Sequence, residues 1–68
     1  MSRLSNSDYK ILDAFMRAVL TRVESGKSGV PDALADIMHP LTAWDNGNEQ
    51  EFSPWMKLKL VEWTEQNA

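Results

Sequence analysis

The stretch from Ser7 to Gly26, SDYKILDAFMRAVLTRVESG, is the longest periodic segment of the chain, and it commits the fold to helices. Leu12, Phe15, Met16, Val19 and Val23 recur at spacings of three and four, which places them on one helical face. Ser7 is the expected N-cap, and Asp8 behind it suits the positive end of the helix dipole. Gly26 stands where a left-handed C-cap would end the helix. On the polar side Asp13 and Arg17 stand at i,i+4 and should pair. A second strip, Ile11, Ala14 and Ala18, runs beside the core face. In so small a domain the other helices of the chain should cover it. The sharper reading makes it a homodimer or partner seam.

A chain of 68 residues forms one domain near the lower limit for an unaided core. It has no cysteine, which rules out disulfides and Cys-based zinc or redox sites and fits a reducing compartment. No apolar run is long enough for a secretory leader or a membrane span, so a cytoplasmic location without membrane contact is expected.

The net charge of −3 is unevenly spread. Residues 1–31 carry five bases and three acids, and residues 54–68 carry two of each. Residues 32–53 carry five acids (Asp32, Asp36, Asp45, Glu49 and Glu51) and no Lys or Arg. Such a segment disfavours nucleic acid, because phosphate contacts need a basic surface, and it suits a basic protein partner.

After the first helix, SGKSGVP invites comparison with a phosphate-binding loop. The comparison fails: position 21 is threonine where the motif needs glycine, a helix rather than a strand precedes, and Gly29 and Pro31 follow. The segment reads as a helix–helix connection.

The second helix should span about 31–39, with Pro31 at its first position and Asp32 at the positive dipole end. Leu34, Ile37, Met38 and Leu41 make an apolar stripe, with Asp32, Asp36 and His39 on the opposite side. Pro40 should stop or kink the helix. Leu41 and Trp44 keep the phase of the stripe, so a kinked continuation or a short extra turn at 41–45 is expected between the second and third helices. His39 is the single histidine, with Asp36 at i−3 as its nearest acidic neighbour in sequence. A metal or acid–base site needs more convergent groups than this.

The run DNGNEQE, residues 45–51, is a polar connection, with Asn46-Gly47 as its turn signal. It does not make a calcium loop: counting from Asp45, the sixth position is Gln50 rather than Gly and the twelfth is Met56 rather than Glu.

The third helix should span 54–66, N-capped by Ser53. Met56, Leu58 and Leu60 alternate with lysines as a strand would, but the Ser-Pro start and the lack of a partner strand favour helix. As a helix it has two apolar strips: Met56, Leu60 and Trp63 on one, Leu58 and Val61 on the other, with Trp55 set apart. The expected architecture is therefore a small all-α three-helix bundle.

No catalytic, cofactor-binding or metal-binding residue emerges, and an enzyme is not expected. The preferred function is a small non-enzymatic interaction module (an adaptor, regulator or inhibitor, of the kind common among accessory and phage-encoded proteins). It would bind a protein partner or itself through Trp44, Trp55, Met56 and Trp63, bordered by Asp45, Glu49 and Glu51. The alternative is a helix-turn-helix-like nucleic-acid-associated regulator, which requires Arg17, Arg22, Lys27, Lys57 and Lys59 to converge on one surface.

Overall fold

The computed structural model describes residues 4–66. Three helices follow one another: α1 (Asn6–Glu24), α2 (Val30–Asp45) and α3 (Ser53–Gln66), with a short 3₁₀ turn at Glu49–Glu51 before α3. They form an all-α three-helix bundle with no strand among the described residues. The central helix α1 packs against both α2 and α3.

α1 starts two residues before the expected point, because the cap is Ser5 and not Ser7. The Asp8 N–H donates to Ser5 Oγ at 3.1 Å, and the Ser5 N–H donates to Asp8 Oδ2 at 3.2 Å. This reciprocal capping box satisfies two otherwise orphaned donors. Ser7 has Lys10 three residues on and could not build one. The frayed lead-in expected over Met1–Asn6 is shortened accordingly: Asn6 is helical and Leu4 packs against the core. Met1 to Arg3 lie outside the described residues.

α1 ends as expected, one position past its cap Ser25, at Gly26 with φ +80°. The Gly26 N–H donates to the Val23 carbonyl at 3.1 Å, and the Lys27 N–H to that of Arg22 at 2.8 Å. α2 ends in the same way at Gly47, φ +73°, with Gly47 N–H bonding Trp44 O at 3.1 Å and Asn48 N–H bonding Ala43 O at 2.8 Å. Both are Schellman ends, which need a left-handed residue and use glycine for it.

The core comprises Phe15, Val19, Ala33, Ala43, Phe52, Met56 and Trp63. Pro40 is fully buried beside them. Of the outcomes expected at Pro40, α2 takes the continuation rather than the stop at 39, and runs as one helix to Asp45. A helical proline costs about 3 kcal/mol through its missing donor and its clash with the preceding turn. Here its ring fills core space, and Ala43 and Trp44 beyond it still have partners to pack on. Their burial offsets the local cost.

α2 turns a different face inward from the one its apolar stripe suggests. Of the stripe read from the sequence, only Ile37 packs against the core. Leu34, Met38 and Leu41 are exposed. The core is met instead by Ala33, Ile37, Pro40, Ala43 and Trp44. The C-terminal end sets this rotation. The Gly47 turn and the 3₁₀ turn bring Phe52 back to Trp44, with ring centroids 5.2 Å apart. His39 meanwhile stacks on Trp55 of α3. On this side of α2 the small side chains Ala33 and Ala43 face inward, and the large ones turn to solvent.

α3 is helical throughout, which settles its strand-like alternation. It begins at Ser53, one residue early, with the Met56 N–H donating to the Phe52 carbonyl at 3.1 Å. Met56 and Trp63 are buried and Leu60 partly so, while Leu58 and Val61 are exposed. Trp55 is not set apart: its ring meets Phe15 edge-on at 5.6 Å. Among the described residues, no helix is long and apolar enough to cross a membrane.

Candidate docking surface

α2 repeats its large apolar side chains at Val30, Leu34, Met38 and Leu41. At about 100° per residue, these four positions fall within roughly 80° of the helix circumference. Their exposures are 61, 56, 55 and 44 %, so the row lies open along the helix. Isolated exposed leucines are ordinary, but four large apolar residues in one line on one helix are not.

At Met38 the row meets an open groove of about 510 Å³, lined also by His39, Thr42, Asn46, Asn48 and Glu51. The groove runs between α2 and the 3₁₀ turn. Asn48 holds that turn in place, its side-chain carbonyl accepting from the Glu51 N–H at 3.3 Å. The Glu51 carboxylate reaches to 3.8 Å from His39 Nε2, too long for a hydrogen bond. His39 Nε2 has no hydrogen-bond partner in the structure. Asp36 is not its ion-pair partner; the contacts of His39 are Trp55 and Glu51.

The last turn of α2 contains Asp45 and no basic residue. Helix C-termini carry the negative end of the dipole and are normally balanced by Lys, Arg or His. Here Asp45 adds to the negative end, and Glu51 lies across the groove. Asp45 and Glu51 thus leave the C-terminal end of α2 flanked by acids with no basic residue in its last turn.

The seven residues singled out in the sequence do not form one patch. Met56 is fully buried and Trp63 is 6 % exposed, so neither can be a docking residue. Trp63 stacks on Phe15 at 5.5 Å, and the Arg22 guanidinium lies 4.8 Å from its ring centroid. Trp55 is half-buried between Phe15 and His39. Trp44 and Glu49 line a second depression with Asp8, Phe52, Ser53 and Pro54, while Glu51 lines the groove at Met38. The 3₁₀ turn thus sends its two glutamates to different sides. Of the predicted set, Asp45 and Glu51 adjoin the exposed row.

Sequence reasoning grouped Leu34, Met38 and Leu41 with Ile37 in one apolar stripe and did not single them out as a surface. The available signal was the width of the apolar arc of α2. Ala33, Pro40, Ala43 and Trp44 make a second apolar edge, wider together with the first than one neighbouring helix can cover.

The alternative seam on α1 is partly closed, since Ile11 and Ala18 pack against the core and Ala14 alone of the three is exposed. Several basic side chains are engaged within the chain. Arg17 Nε bonds Asp13 at 2.8 Å, as the spacing predicts. Arg22 donates to Gln66 at 3.3 Å, and Lys59 lies 3.5 Å from Glu62. Among the described residues, no group of three or more His, Asp or Glu side chains could hold a metal ion.

A scan against protein-family models and searches among curated proteins and solved structures find no match to this chain.

Proposed function

We propose that the protein is a non-enzymatic interaction module that docks on another protein through the outward face of α2. The observation that carries this reading is the inversion of α2: the helix packs with alanine and proline and presents Val30, Leu34, Met38 and Leu41 to solvent. Exposed apolar rows weaken solubility and gain nothing for the isolated fold, so a partner that covers the row supplies their purpose. The acidic run over residues 32–53 supports a protein rather than a nucleic acid as that partner.

The test is site-specific photo-crosslinking in the native cell. A photoreactive side chain at Met38 should give a discrete adduct with another protein, and the same group at Arg17 on α1 should not. No adduct from Met38, or equal adducts from both positions, would end this reading.

A further inference from the structure

We propose that the occupant of the α2 face is a basic amphipathic helix of the partner protein, an inference that rests on the interaction-module reading above. Shape and charge both lead there.

The row from Val30 to Leu41 spans eleven residue steps, or about 16 Å of helix axis at ~1.5 Å per residue. That length matches roughly three turns of a helix laid along it. The row lies exposed along α2, with the groove beside it from Ala35 to Asn46. An apolar helix face, anchored at i, i+3 and i+4 positions, covers such a row well.

The charge argument selects the sign of the partner. Asp45 closes the row, Glu51 lines the groove that opens at Met38, and no Lys or Arg occurs anywhere in residues 32–53. The dipole of α2 adds its own negative end at the same place, with no basic side chain in its last turn. A lysine or arginine on the flank of the incoming helix would enter the groove beside Met38 and meet Glu51, Asn46 and Asn48 as acceptors. Met38 is thus shared by the apolar row and the polar groove, so one partner helix reads both.

The experiment uses the full chain and two synthetic peptides of four helical turns. One carries leucines along one face and lysines on the flanks, and the other has glutamate in place of every lysine. Binding is measured by calorimetry, alongside the molar mass of the free protein by light scattering. The lysine peptide should bind and the glutamate peptide should not. The double substitution L34Q/M38Q should weaken lysine-peptide binding at least about tenfold, because it removes two anchors of the row. The pair D45N/E51Q should weaken it several-fold and flatten its salt dependence. All four positions are exposed, so both variants should keep the helical spectrum of the parent.

Equal binding of both peptides, lost in L34Q/M38Q, overturns the basic partner and leaves the docking face standing. A dimer that L34Q/M38Q dissociates does the same, with a second copy as occupant. A monomer that binds neither peptide overturns the basic-helix inference; paired with no crosslink from Met38, it overturns the interaction-module reading too. Lysine-peptide binding that is indifferent to L34Q/M38Q also overturns the proposal, because general attraction to an acidic protein then explains it.

Discussion

The imidazole of His39 lies on the indole of Trp55, with ring centroids 3.9 Å apart and planes 18° from parallel. Trp55 also meets Phe15 at its edge, 5.6 Å away. One side chain of α3 therefore touches both α1 and α2. The single histidine and one of the tryptophans expected at a docking surface are each other's packing partners.

This arrangement separates the two tryptophans of α3 in their effect on stability. Trp63→Ala should cost about 3–5 kcal/mol, since it empties the centre of the core against Phe15. Trp55→Ala should cost about 1–2 kcal/mol, since the indole is only half-buried. Small domains are stabilised by only a few kcal/mol, so the first variant should be largely unfolded at 25 °C and the second folded. Urea titration of the helical signal distinguishes them, and equal midpoints would contradict the packing described.

Substitutions along α2 should reverse the order expected from its sequence. Leu34→Gln and Met38→Gln should each shift stability by no more than about 0.5 kcal/mol, because both side chains are solvated. Ala43→Leu should destabilise by about 1–3 kcal/mol by overpacking a buried position. Thermal melts of the three variants test the rotation of the helix. A damaging Leu34→Gln with a harmless Ala43→Leu would mean that the helix is turned the other way.

The N-terminal cap supplies a local test. Ser5→Ala should cost about 1 kcal/mol by breaking the capping box with Asp8. Ser7→Ala should be nearly neutral or slightly favourable, since Ser7 lies inside the first turn. Comparing the two melting temperatures decides between Ser5 and Ser7 as the cap.

Gly26→Ala and Gly47→Ala should each destabilise by about 1 kcal/mol. Both glycines have positive φ, and a Cβ at either would meet nothing within 4 Å, so the cost is in the backbone alone. Asparagine at the same positions should recover part of the loss, because it tolerates the left-handed region better than alanine. Chemical denaturation of the four variants measures this, and a cost for alanine no larger than for asparagine would count against a Schellman end.

Much of the architecture is local and so was legible in the sequence. Apolar spacing, Gly26, the Asn46-Gly47 turn and the Ser53-Pro54 start each act within a few residues, where backbone sterics and hydrogen bonding decide the outcome. These marked out three helices and the end of α1. The i,i+4 pair of Asp13 and Arg17 belongs to the same class. What failed locally was the choice between two serines two residues apart, and it turned on which of them had an acid three positions on.

Tertiary structure decided the rest, because α2 has two apolar edges and one core. Periodicity identifies large apolar residues but does not say which edge a helix turns inward when both are available. The contact of Trp44 with Phe52 and the stack of His39 on Trp55 join residues distant in sequence, and they set the rotation. That rotation carried α2 through Pro40, buried the alanines, and left Val30, Leu34, Met38 and Leu41 in solvent. The acidic run could be read from the chain alone; its position beside an exposed apolar row depends on packing that no local segment encodes.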